Sequence, residues 1–446
     1  MSDQHLQAVV SDSSEIVQNT RASSPPPSAE FLARQKRMDD AFNLRMTDRV
    51  PVAPVVIHYY ATREAGISYR DAQYDPERNL QALKDVTVMN DWDAAVPGGS
   101  VPPGRPLELM GVRQIKWPGG PLADGMPFQW VEGEYMLQSE YDEVLADPKR
   151  FVLKKLWPRI STTMQQFGRL CEMVSTMPLI SMSSPYVLPG FVGGVFLQPD
   201  NRALLQKLVE LSGETEKNRR TASRYALEMT QLGYPFVAGP MLFCAFDWIS
   251  DCLRGLRGTS LDMYQVPDKL LALIDMINAT LVASAAMMAG QSNKKGAVIF
   301  LHRGSAGFMS DAQFERVYWP CLKSLILGLI DAGLRPIVYT EGDYTPRLRY
   351  FQELPPRKFV MHYQEVDRKL AKKLLGDVTC FWGNVPTALM CTGTPQQVKD
   401  DVRQLIDTFG DNGGLVIDSG VGIPDESKPE NVRALREAVR EYGILK

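Results

Sequence analysis

Short apolar runs recur along the second half of this chain, separated by stretches with helical spacing. The runs lie at 235–244, 297–302, 336–340, 358–362, 378–382 and 414–418, and two earlier ones lie at 52–58 and 93–97. Between them, Gln313 to Ala332 and Thr394 to Phe409 carry apolar residues at helical spacing, as do residues 76–89 and Glu30 to Arg45 nearer the start. Apolar runs alternating with helices of this length predict βαβ units and a parallel sheet. Eight such runs predict an α/β fold of the (β/α)8 TIM-type barrel class, with an open doubly wound sheet as the alternative. The barrel is expected to occupy 31–446, behind a disordered tail at 1–30 that carries Ser23-Ser-Pro-Pro-Pro-Ser28. An insertion is expected at 108–232. Its first part pairs Gln114-Ile-Lys-Trp117 with Phe128-Gln-Trp-Val131 as a β-hairpin. The rest, from about 141, is helical, with interruptions at Pro178–Ser183 and 190–194.

Four of the runs stop on a metal-capable side chain or one residue past it. They end at His58, His302, Glu341 and His362, and the chain has only four histidines. In a parallel barrel the carboxyl ends of all strands meet at one mouth, where the chemistry sits. Neighbouring strands lie about 4.8 Å apart. A carboxylate and an imidazole at matching heights therefore suit one zinc ion with an open coordination position. Glu341 and His362 are the expected ligands, with His302 or Asp343 completing the shell. Asp343 and Glu341 are also placed to cap the following helix. Substrate contacts are expected from His58, Tyr59, Tyr60, Phe243, Asp247, His302, Arg303 and Trp382, with Trp248 nearby. Asp247 is equally placed to cap its own helix.

Composition narrows the class without naming it. Apolar residues make up 44% and charged residues 23% of the 446, as in an ordinary globular protein. A net charge of −3 gives no broad case for nucleic acid or an anionic membrane. No apolar run of membrane-spanning length and no signal-peptide core stands out, so a cytoplasmic protein is expected. Six cysteines without Cys-x-x-Cys spacing argue for reduced, mostly buried thiols. Neither Gly-x-Gly-x-x-Gly after an early strand nor a P-loop is present, which disfavours dinucleotide and nucleotide binding. The absence of Gly-x-Ser-x-Gly disfavours an acyl-transfer triad.

Several segments resemble the superfamily of uroporphyrinogen decarboxylases and corrinoid-linked methyltransferases. They are Phe381-Trp-Gly-Asn-Val-Pro-Thr387, Thr392-Gly-Thr-Pro-Gln-Gln-Val398, Gly413-Gly-Leu-Val-Ile-Asp418, Val421-Gly-Ile-Pro424 and Lys428-Pro-Glu-Asn-Val432. The likeness covers roughly 45–445 and implies the same barrel. Where the decarboxylases carry Arg-Gln-Ala-Gly-Arg after the first strand, this chain has His58-Tyr-Tyr-Ala-Thr. Where they carry Gly-His-Gly in the last loop, it has Gly420-Val-Gly422. A polycarboxylate substrate would lack its arginine clamp. The His-x-Cys zinc site of coenzyme M methyltransferases falls on Tyr339-Thr-Glu341 and is also missing.

The branch that demethylates phenyl methyl ethers is closer. Its zinc pattern is Glu-x14-Glu-x20-His. Glu341 and His362 match the second half, while the first Glu falls on Ile326. This resemblance implies a methyltransferase, an O-demethylase component. It would move a methyl group from a small O-methylated aromatic compound to a corrinoid, with zinc as Lewis acid. The chain lacks the Asp-x-His-x-x-Gly of corrinoid carriers, so the corrinoid is expected on a separate partner protein. Homo-oligomer formation stays open. Two alternatives remain: a metal-free decarboxylase or lyase of a small acid using His58, Arg303 and Asp247, and a non-catalytic barrel that binds a ligand or the corrinoid protein.

Overall fold

The computed structural model describes residues 27–56, 58–99, 101–175, 183–292 and 295–444. The expected tail lies outside these residues up to 26. Residues 28–30, expected in that tail, belong to the first helix and its cap: the Ser28 hydroxyl accepts a hydrogen bond from Phe31 N and caps the helix Ala29–Phe42.

Six parallel strands form one sheet in chain order: β3 (Met241–Phe243), β4 (Gly296–Leu301), β5 (Arg335–Asp343), β6 (Val360–Glu365), β7 (Cys380–Trp382) and β8 (Leu415–Val416). A separate antiparallel hairpin pairs β1 (Ile115–Lys116) with β2 (Gln129–Trp130), as the sequence pattern predicts. The helix at Pro76–Met89 matches its expected bounds.

The runs 52–58 and 93–97 do not form ladder strands. They are extended chain joined to their neighbours by isolated contacts. Val52 bridges Ile417 and Val56 bridges Ile423. Asp93 N donates to Val52 O, and Ala95 N donates to Pro235 O. Ile57 lies outside the described residues. Prolines explain the broken pairing: Pro51 and Pro54 in the first segment, and Pro235 and Pro240 ahead of β3, have no N–H to give a ladder. Through these bonds the two extended segments lie between β8 and the segment that leads into β3.

Alternate strand residues face opposite sides. Ile299, Leu301, Val338, Met361 and Phe381 belong to the large core beneath the surrounding helices. Val298, Ile337, Tyr339, Val360, Cys380, Trp382 and Val416 form a second, inner cluster. Met38, Ala41 and Phe42 of the helix Ala29–Phe42 join that cluster and close one end of it.

Two further helices bear on the expectations. The segment Pro267–Gly290 is long and apolar enough to cross a membrane, contrary to the expectation that no such run exists. In this fold Leu270, Leu273, Ile274 and Ala285 bury one of its sides in the large core. The insertion continues as the long helix Pro199–Gln231; its expected interruption at Pro178–Ser183 falls almost wholly outside the described residues.

Candidate active site

Strand register sorts the inner side chains into layers. Phe243 pairs with Phe300, Phe300 with Tyr339, Tyr339 with His362, His362 with Trp382, and Trp382 with Val416. These residues make an aromatic floor. The Tyr339 and His362 rings stack with centroids 4.1 Å apart, Phe300 lies 5.1 Å from Tyr339, and Trp382 meets His362 edge-on at 5.6 Å. His302 and Glu341 stand two residues further along β4 and β5, a rise of about 6.6 Å at the usual spacing per residue.

At this upper level, one line of polar groups forms. His302 Nδ1 is 2.5 Å from Asp251 Oδ2, and its Nε2 is 3.7 Å from Glu341 Oε1. Arg303 Nη2 donates to the other Asp251 oxygen at 2.8 Å, with its guanidinium 5.2 Å from the Phe308 ring centre. The His302 and Glu341 side chains are 27% and 37% exposed, so solvent reaches them. Phe243 packs edge-on to His302 at 5.1 Å and lies 6.0 Å from the half-exposed Trp248, giving the line an aromatic flank.

The electrostatics favour a proton held between these groups. Burial alone would lower the His302 pKa. The hydrogen bond to Asp251 and the charges of Glu341, Asp247 and Asp251 outweigh burial, and the net shift is upward. Burial raises Glu341, with His302 opposing. A histidine held by a carboxylate on one nitrogen, with the other facing a second carboxyl group, is equipped to give or take a proton near neutral pH.

The expected metal ligands do not meet. His362 is fully buried in the floor, and its Nε2 is 2.9 Å from Asp418 Oδ2. Among the described residues its Nδ1 has no hydrogen-bond partner. A shift in register between Thr340 and Asp343 puts Glu341 and Gly342 opposite Gln364, whose side-chain oxygen accepts from Gly342 N at 2.7 Å. The twenty-residue spacing therefore puts His362 one layer below Glu341 rather than beside it. Asp343 is exposed, and its Oδ1 accepts from Thr345 N at 2.8 Å, just ahead of the short helix Thr345–Glu353, whose N-cap is Tyr344. Among the described residues, no three His, Cys, Asp or Glu side chains come together as a metal-holding group. The donor set does not fit a three-ligand zinc.

The other expected residues divide by exposure. Tyr59 and Tyr60 are buried: the Tyr59 hydroxyl donates to Gln73, its ring stacks on Tyr69 at 4.2 Å, and Tyr60 joins the large core. They do not form a substrate wall. His58 is partly exposed, edge-on to Phe128 of the insertion at 4.7 Å, and burial lowers its pKa. Trp382 is buried and donates from its indole to Ala53 O. Asp247 is fully buried behind the line.

Two carboxylates escaped the residue-by-residue reading. Asp251 lies four residues after Asp247 on the turn Ser250–Arg254, and that spacing, visible in Asp247-Trp-Ile-Ser-Asp251, was the available signal. Asp418 lies two residues past β8, and only the fold brings it to His362. A groove of about 680 Å³ between the helices Pro76–Met89 and Pro199–Gln231 is lined by Glu77, Arg78, Lys84, Arg224 and Glu228 and shares no residue with the His302 line.

Comparison with known proteins agrees with this architecture. Residues 235–442 match the model of the uroporphyrinogen decarboxylase (URO-D) family. A uroporphyrinogen decarboxylase from Aromatoleum aromaticum is 23% identical over 209 residues, 45% of this chain and 58% of that protein. One from Pseudoalteromonas translucida is 32% identical over 73 residues, 16% of this chain and 20% of that protein. Over its carboxyl-terminal half the chain is similar to the uroporphyrinogen decarboxylase family. The matched segments span from about a fifth to just over half the length of these curated relatives. A solved methyltransferase from Methanosarcina mazei shares the fold with a TM-score of 0.58 at 14% identity, covering 92% of this chain and 98% of that one. The family match begins at 235, so it takes in β3 to β8 and every member of the Asp251–His302–Glu341 line.

Proposed function

We propose that this chain transfers a methyl group from a small O-methylated aromatic compound to a corrinoid carried by a separate protein. The observation that carries the reading is the Asp251–His302–Glu341 line at the carboxyl ends of β4 and β5. In this reading the eight extended segments form a closed barrel, and the partner docks over its mouth. The reaction is placed in the cytoplasm.

An ether is inert because its oxygen leaves badly as an anion. When the methyl carbon–oxygen bond breaks, both electrons go to oxygen, and His302 Nε2 gives that oxygen its proton. The departing group is then a neutral hydroxyl compound. Asp251 holds the imidazole by Nδ1, so Nε2 is the nitrogen that faces the substrate. Glu341 accepts from His302 or returns a proton from solvent. Proton transfer of this kind contributes roughly 10²–10⁴-fold. Phe243 and Trp248 offer ring faces for an aromatic donor, and His58 and Arg303 flank the opening. A corrinoid would supply the electron pair that captures the methyl group. Zinc is the Lewis acid implied by the Glu341 and His362 spacing, but its ligands lie in different layers. No step is routed through it.

The test supplies purified protein with reduced cobalamin and a panel of methoxylated aromatics, and follows methylcobalamin by absorbance. Methyl transfer that is lost in His302→Ala supports the reading. Ligand binding without turnover, with both donor and acceptor present, overturns it in favour of a binding barrel.

A second reading is favoured by the same acid line together with the names of the matched relatives. A decarboxylase of a small acid would use His302 to protonate the carbon left after carbon dioxide departs. Carbon dioxide release in the absence of any corrinoid separates it from methyl transfer.

A further inference from the structure

Asp247 and Asp251 lie four residues apart and grip the same two consecutive residues in different ways. Asp251 holds the side chains of His302 and Arg303. Asp247 holds their backbones: Oδ2 accepts from His302 N at 3.0 Å, and Oδ1 accepts from Arg303 N at 3.1 Å. The Tyr318 hydroxyl donates to Asp247 Oδ2 at 2.7 Å from the far side. The β3–β4 ladder ends at the pair Phe243–Phe300, so the amides of 302 and 303 have passed the last β3 partner. The Asp247 carboxylate takes the place of the missing strand.

We infer that Asp247 is a positioning residue that sets the direction of the His302 ring. The inference rests on the proposed role of His302 and goes beyond it by assigning a task to a buried group that touches no ligand. Two backbone amides and a hydroxyl converge on one carboxylate, which is the arrangement that best satisfies a buried carboxyl group. Its consequence is geometric. With both amides pinned, the His302 side chain starts from one fixed backbone, and its Nδ1 meets Asp251 while Nε2 faces Glu341. Tyr318 transmits this constraint to the helical segment that begins at Asp311, since it lies in the turn Phe314–Tyr318 leading into Trp319–Asp331. An asparagine at 247 would keep the shape but replace one acceptor oxygen with an NH2 group facing a backbone or hydroxyl donor.

The experiment follows the His302 Nδ1 proton by nuclear magnetic resonance in the full chain without ligand. With four histidines in the sequence, its low-field signal is assigned by its loss in His302→Gln. Asp247→Asn is expected to broaden or abolish that signal, and Tyr318→Phe to shift it. In the methyl-transfer assay Asp247→Asn should lower kcat by about 100-fold with KM little changed, the size expected when a reacting group is displaced. A wild-type signal in both variants overturns the inference, whatever happens to their melting temperatures. If Asp247→Asn does not fold, Tyr318→Phe alone decides. The signal requires no substrate, so its outcome stands apart from whether methyl transfer is the reaction.

Discussion

His302 and His362 follow neighbouring parts of the same sheet, each pairs with an aspartate, and they end in opposite environments. The His302 side chain is partly open and stands between two carboxyl groups, with its pKa raised. His362 is sealed under Tyr339 and beside Trp382, its Nε2 against Asp418, whose own pKa burial raises against the pull of His362. The difference comes from height. His362 is level with Tyr339, and His302 stands one inward position beyond Phe300, so two residues of strand separate a floor from a reactive edge. A carboxylate–histidine pair is thus buried framework at one height and partly open to solvent at the next.

The largest expected effect tests the upper layer. His302→Ala should lower methyl-transfer kcat by roughly 10²–10⁴-fold, because it removes the proton donor. A variant within a few-fold of wild type would transfer the chemistry to another group. The lower layer should respond in stability instead. His362→Ala removes one partner of the fully buried Asp418, which keeps the amides of Val55 and Ser419, and loss of such a buried hydrogen bond costs about 1–3 kcal/mol. Denaturant unfolding should register that cost while kcat per folded molecule stays near wild type. An inactive but fully stable variant, with bound zinc lost in parallel, would reverse the roles of the two histidines.

The pH dependence sharpens the comparison. His302 is raised above its ordinary value, so it stays protonated below that pKa and loses the proton as pH rises through it. The rate is therefore expected to fall on the alkaline side. Any stability that the raised pKa confers is lost over the same rise. Asp251→Asn removes the leading contribution that raises it, so the alkaline fall should move to lower pH. An unmoved profile would detach Asp251 from the proton. The smallest effect belongs to Asp343→Ala. Losing its hydrogen bond from Thr345 N should cost about 0.5–1.5 kcal/mol in thermal or chemical unfolding and leave the rate unchanged.

Much of this organisation was legible along the chain. The six runs from 235 to 418 coincide with β3 to β8 because strands covered by helices on one side and packed inside on the other are apolar throughout. The hairpin was visible in its Pro-Gly-Gly-Pro turn and flanking aromatics. The ends of β4 and β5 identified His302 and Glu341 as neighbours, since alternation along adjacent parallel strands preserves facing. Less legible were the first two extended segments, where prolines interrupt the ladder while the apolar pattern persists.

The amino-acid sequence by itself determined the α/β class, the order of the strands and which residue types would gather at their carboxyl ends, because side-chain alternation and apolar periodicity are local properties. Tertiary structure decided the heights. Spacing along the chain counts residues through a helix and two turns and says nothing of strand register, and the bulge after Thr340 has no signature beyond one glycine. Register placed His362 beside Tyr339 and below Glu341, and drew Asp418 across from the far edge of the sheet. It also turned Asp251 and Asp247 toward a pair of residues some fifty positions away. The Asp251–His302–Glu341 line at the strand ends is the product of those heights, and no single run of sequence contains it.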